Sequence, residues 1–168
     1  MLHYIYSRSL IGVLVAMPLL LAVWGVLSAR VAVRQWRPGN LALLLVSAAV
    51  ILYATLFSRA EGGGLILTPF AALAAARVQP ELYREMLMNV FLFFPLGLTL
   101  SNALPRRWNY RRRIGVTVLA GCLLSAGIEC AQYRFALGLA ETDDVLCNTL
   151  GALLGAASLL VAHAIESH

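Results

Sequence analysis

Glu141–Gly155 reads ETDDVLCNTLGALLG, a cluster of three carboxylates and a threonine that runs straight into an apolar, glycine-containing stretch. The 168-residue chain has eight acidic residues, and this patch holds three of them. From Leu146 to Ile165 the sequence stays apolar for the roughly 20 residues that a helix needs to cross a hydrocarbon core. The patch therefore marks the start of a membrane helix. Thr142 suits the capping position of that helix, and Asp143 and Asp144 suit the positive end of its dipole. The same residues also begin a polar face, because Asp144 and Asn148 are four apart and lie on one side of a helix.

Four more segments of similar character precede this one, at about Leu10–Ser28, Leu41–Ser58, Leu87–Leu104 and Ile114–Tyr133. The chain is 61% hydrophobic and 12% charged, against about 25% charged for soluble domains. So little polar surface excludes a soluble globule and predicts an all-α, polytopic transmembrane helical bundle of about five crossings. The first segment exceeds the roughly 7–15 residues of a signal-peptide core and is read as a retained helix. All 13 basic residues are arginines. Eight of them (Arg30, Arg34, Arg37, Arg106, Arg107, Arg111, Arg112 and Arg113) fall in the loops after the first and third segments. Positive charge in short loops marks the cytoplasmic side, which puts the N-terminus outside and the C-terminus in the cytoplasm. Topology alone accounts for RRWNYRRR at 106–113; docking of anionic lipid head groups is the alternative reading.

The longest connection, Arg59–Met86, is then on the outer side. EGGG at 61–64 predicts a flexible start, and ILTPFAALAAARV at 66–78 an interfacial or re-entrant segment. Pro80 suits the first turn of a helix that continues into the third segment, with a kink near Pro95. Cys122, Cys130 and Cys147 lack paired CxxC spacing and read as small packing residues; no metal and no cofactor is expected. His3, His163 and His168 are assigned no role.

Polar residues recur at the outer ends of the last three segments. Glu85 and Asn89 share a helix face, as do Glu129 and Gln132, and Asp144 and Asn148. Glu129 lies five residues before Arg134, roughly 7 Å inward. Small-residue stripes share these faces: Gly121 and Ser125 lead to Glu129, Gly151 and Gly155 follow Asn148, and Gly97 follows Asn89. Such stripes let membrane helices approach closely, so the polar groups are expected to face the bundle interior. Asn89 and Asn148 read equally well as interhelical hydrogen-bond glue. Glu129 is costly at membrane depth and calls for a partner, with Arg59, Arg84 and Arg134 as candidates. The expected ligand-facing set is Arg59, Arg84, Glu85, Asn89, Glu129, Gln132, Asp143, Asp144 and Asn148. Gly97, Gly121, Ser125, Gly151 and Gly155 are expected to serve helix packing.

LTPF at 67–70, REMLMNV at 84–90, FPLG at 94–97, IECAQ at 128–132, FALG at 135–138 and ETDDVLCNTLGALLG at 141–155 occur in uninterrupted order. Together they resemble the signature of the VanZ-like family of small bacterial membrane proteins, over about residues 58–160. The resemblance divides the chain into two N-terminal helices (1–57), a VanZ-like region of outer loop plus three helices (58–160) and a short tail (161–168). It implies a multi-pass protein of the bacterial cytoplasmic membrane. The family is named for a protein conferring low-level resistance to teicoplanin, a glycopeptide that binds cell-wall precursors outside the membrane.

Three functions follow as expectations. The first is a non-catalytic protein, its partners the lipid bilayer and a lipid-linked cell-wall precursor, glycopeptide or protein, in which arginines face phosphate and amides read sugar or amide groups. The second is a membrane-embedded enzyme acting on a lipid head group, with Glu129, Asp143 and Asp144 as general base or divalent-cation ligands. The third is a small transporter or flippase, which would call for a homo-oligomer. Against the second, no nucleophile–base pair or His-containing metal motif is present, so enzyme activity is the less favoured reading. Nucleic-acid binding is not expected, because the basic loop is short and tied to the membrane. HExxH and GxSxG are absent, which weighs against a peptidase.

Overall fold

The computed structural model describes Leu19 and residues 23–26, 37–56 and 62–166. Most of the first apolar segment, together with Arg59, lies outside the described residues. The elements in chain order are α1 (Arg37–Leu56), β1 (Gly62–Ile66), α2 (Ala71–Ala75), α3 (Glu81–Ala103), α4 (Tyr110–Phe135), β2 (Leu137–Glu141) and α5 (Thr142–Glu166). Among the described residues, three helices are long and apolar enough to cross a membrane: Pro38–Leu56, Glu81–Ala103 and Tyr110–Phe135. α5 is 25 residues long.

Local chemistry explains where these helices start and stop. Pro38 sits in the first turn of α1, where its missing N–H costs nothing. Pro80 precedes α3 with helical backbone angles, and the helix continues through Pro95, where the Thr99 hydroxyl donates to the Pro95 carbonyl at 2.8 Å. Asn109 caps α4 by accepting the Arg112 amide at 2.8 Å. α4 ends at Ala136, whose left-handed backbone (φ 52°) lets its N–H reach the Gln132 carbonyl.

α3 and α5 form the most extensive helix pair, with α4 against α5 and α1 against α3. Glycines set the α3–α5 distance. A Cβ at Gly97 would strike the Ala152 backbone, one at Gly151 the Val90 carbonyl, and one at Gly155 the Phe94 carbonyl. These are backbone-to-backbone approaches that only glycine permits. Gly121 lets α4 approach α5 likewise, since a Cβ there would lie 2.7 Å from the Ala152 methyl. Ile51, Phe93, Leu96 and Ile128 join α1, α3 and α4 in a small apolar core.

The structure departs from the expected all-α bundle at one end. β1 and β2 form a two-stranded parallel sheet, with Gly62 opposite Leu137 and Ile66 opposite Glu141. The glycine run at 62–64 is thus a strand and not a flexible lead. Its glycines fit because the partner strand is close: a Cβ at Gly64 would lie 2.5 Å from Leu139 Cδ1. Gly138 in the partner strand has φ 154°, a conformation that favours glycine. Two strands alone are marginal, and side chains from the helices hold these in place, as described below. The following segment contains a short helix, α2, and exposes Leu67, Phe70, Leu73 and Val78.

α5 begins at Thr142, in the acidic patch that the sequence marks as the start of the helix. Thr142 opens the helix, but the described contact of its hydroxyl is to the Ile66 carbonyl of β1, at 3.4 Å. Arg113 is not a loop charge: it is buried within α4 and donates from Nε and Nη2 to the Ser101 carbonyl. Of the three cysteines, Cys147 is buried, Cys122 half-buried and Cys130 exposed; Cys130 therefore does not serve interior packing.

Candidate functional site

Ser125, Glu129 and Gln132 lie on one face of α4, separated by steps of four and three, and all are buried. The face extends about 10 Å along the helix axis. Against it stand Asp144 and Asn148 of α5, and beside them Asn89 of α3, also buried. Each side chain reaches a different element. Asn148 Nδ2 donates to Ser125 Oγ at 2.8 Å, joining α5 to α4. Asn89 Nδ2 donates to Asp144 Oδ1 at 2.6 Å, joining α3 to α5. Gln132 Nε2 donates to the Thr55 carbonyl at 2.8 Å, joining α4 to the end of α1.

Two carboxylates hold the irregular end of the bundle. Glu129 Oε2 accepts the Glu141 amide at 2.9 Å, which ties the last residue of β2 back to α4. Asp143 accepts two amides, from Phe70 at 2.5 Å and Ala72 at 2.7 Å. Those N–H groups belong to the start of α2, which has no side-chain cap of its own. Phe70 itself adopts a left-handed backbone (φ 62°), unfavourable for a bulky residue, and the Asp143 carboxylate holds it there. Asp143 and Asp144 lie in the first turn of α5, as the sequence predicts, and the side chains of Thr142, Asp143 and Asp144 also reach β1, the α2 turn and α3. Helix-start carboxylates can do this because their backbone stays in the helix while their side chains project past its end.

The expected ligand-facing residues therefore separate into groups. Asn89, Glu129, Gln132, Asp144 and Asn148 are brought together as a buried polar layer. Asp143 turns away to the α2 turn. Glu85 is exposed, and Arg84 is half-buried with its Nε enclosed and unpartnered among the described residues. Arg134 is exposed, its guanidinium 5.7 Å from the Phe135 ring centroid. Arg59 lies outside the described residues. Sequence reasoning missed Thr55, whose carbonyl receives Gln132 while its own hydroxyl bonds the Ile51 carbonyl at 2.8 Å. No side-chain pattern could have marked it, since the group that matters is backbone.

The layer is not fully satisfied. Gln132 and Asn148 are 0% and 1% exposed. Each spends its amide nitrogen on a neighbour, while Gln132 Oε1 and Asn148 Oδ1 have no hydrogen-bond partner among the described residues. Buried polar atoms nearly always find one. Two amide acceptors among carboxylates can receive hydrogen bonds from water, hydroxyl or amide groups. Among the described residues, no three His, Cys, Asp or Glu side chains gather as a metal-binding group.

Comparison with known proteins places these elements in a lineage. No solved structure matches the chain. It is 36% identical over 92 residues to "Protein VanZ" of Enterococcus faecium, an alignment covering 54% of this chain and 49% of that protein. The chain thus matches about half the length of that relative. The family model VanZ/LLP1 matches residues 40–163, from the start of α1 almost to the end of α5. With buried layer, strand pair and helix contacts all inside that range, the chain belongs to the VanZ/LLP1 family.

Proposed function

We propose that this chain is a non-catalytic, five-crossing protein of the bacterial cytoplasmic membrane, with its N-terminus outside and its C-terminus in the cytoplasm. Its polar layer faces outward and binds the head group of a lipid-linked cell-wall precursor, or a glycopeptide such as teicoplanin, and so alters glycopeptide susceptibility. The observation that supports this reading is the pair of enclosed, unpartnered amide oxygens of Gln132 and Asn148, both able to accept from hydroxyl or amide groups. The rim supports it too. Arg84 and Arg134 stand at the same end of the bundle and suit phosphate, and the exposed apolar side chains of the α2 segment suit the membrane interface. The other polar contacts of the layer hold the helices together, as a preorganised binding site requires.

The test is teicoplanin susceptibility and labelling of outer-leaflet precursor in cells carrying the deletion, the intact chain, or Glu129→Gln, Gln132→Met or Asp144→Asn. The expected result is a shift on deletion that the intact chain reverses and that the variants fail to reverse at matched membrane levels. A deletion that changes neither readout overturns the proposal.

A further inference from the structure

A second feature lies at the opposite, arginine-rich end of the bundle. There, side chains of α4 and α5 border an open groove of about 590 Å³. Arg111, Gly115, Leu119 and Cys122 of α4 form one wall, with Thr149 and Leu153 of α5 opposite. Apart from Arg111 at its mouth, the lining is almost wholly apolar. The wall from Arg111 to Cys122 is about 16 Å long at helical rise, close to half of a roughly 30 Å hydrocarbon core. A groove of that length matches one leaflet, with the arginine where that leaflet's head groups lie.

The charge at the mouth points to the occupant. Of three consecutive arginines, Arg112 stacks over the Trp108 ring with its guanidinium carbon 4.1 Å from the centroid. Arg113 is buried on the Ser101 carbonyl. Arg111 is exposed and, among the described residues, has no ion-pair partner. The chain from Met86 to Ile128 carries five arginines and no acidic residue. Gly115 leaves the groove open, since a Cβ there would meet nothing within 4 Å. We propose that this groove binds one anionic phospholipid, an acyl chain lying against α4 and α5 and the phosphate on Arg111.

The test uses the full chain purified in mild detergent, with phosphatidylglycerol and phosphatidylcholine of identical acyl chains, read by native mass spectrometry. The intact protein is expected to retain phosphatidylglycerol over phosphatidylcholine by about fivefold, the contribution of one arginine near an anionic head group. Arg111→Gln brings the two lipids to near parity. Gly115→Leu lowers retention of both at unchanged melting temperature, and if it does not accumulate, Leu119→Trp on the same wall gives the same reading. A phosphatidylglycerol preference that survives Arg111→Gln overturns the proposal, as does retention unaffected by filling the groove. So does a photoreactive side chain at position 119 that captures residues 10–28 of the same chain or a second copy instead of lipid.

Discussion

Asn89 and Asp144, 55 residues apart in sequence, meet at 2.6 Å where α3 crosses the first turn of α5. The contact is an amide donating to a carboxylate, both buried. It sits two turns of α5 from Gly151, where a Cβ would strike the carbonyl of Val90, the residue after Asn89. Close backbone approach brings the two side chains into reach, and their hydrogen bond holds the register of the two helices. Asp144→Ala leaves the Asn89 amide enclosed without its acceptor and is expected to cost about 1–3 kcal/mol. Asp144→Asn retains an acceptor and costs less. Thermal unfolding of the purified variants in one detergent checks the order.

Asp143 acts on a different element. Its carboxylate holds the Phe70 and Ala72 amides from 73 and 71 residues away. Asp143→Ala is expected to loosen the α2 segment while leaving the helices paired. Hydrogen exchange should therefore rise over residues 68–76 and stay unchanged over 89–101. Equal rises in both regions would show that the segment and the bundle unfold as one unit.

The glycines differ in what surrounds them, so their substitutions should differ as well. Gly155→Leu drives a side chain into the Phe94 carbonyl and is expected to abolish folded protein, because two backbones would have to separate. Gly127, exposed and with nothing within 4 Å of an added Cβ, should accept alanine, with a gain of up to about 1 kcal/mol from helix propensity. Yield of monodisperse protein and melting temperature measure both.

Arg113 and Arg112 adjoin in sequence and are expected to diverge in effect. Arg113→Ala removes two N–H groups from the Ser101 carbonyl and should cost about 1.5–3 kcal/mol, typical for a hydrogen bond from a charged donor. Lysine should restore only part of this, since it lacks the planar fork. Arg112→Ala loses its stacking on Trp108, about 0.5–1 kcal/mol at an exposed site. The melting temperatures of the three variants should rank accordingly.

Much of the helical framework was legible in sequence because hydropathy and a 3.6-residue period are local properties. Apolar runs of helix length mark α1, α3, α4 and α5 whatever they pack against. The spacing of Ser125, Glu129 and Gln132 puts them on one side of α4 by geometry alone, and that of Asp144 and Asn148 does the same for α5. The parallel strand pair was not legible. GGGLI and LGLAE are short and separated by three helices, and glycine-rich composition reads as flexibility unless a partner strand is known to lie beside it.

What the sequence determined by itself is a membrane bundle whose helices carry polar groups on their small-residue faces. Tertiary structure alone decided which group meets which. Glu129 takes the Glu141 amide, Gln132 the Thr55 carbonyl, Asp143 the α2 turn, and Arg113 leaves its charged loop for the end of α3. The physical reason is that a buried polar atom must pair with whatever neighbour the packing supplies. That neighbour is set by glycine contacts between distant helices, which no local window of sequence contains.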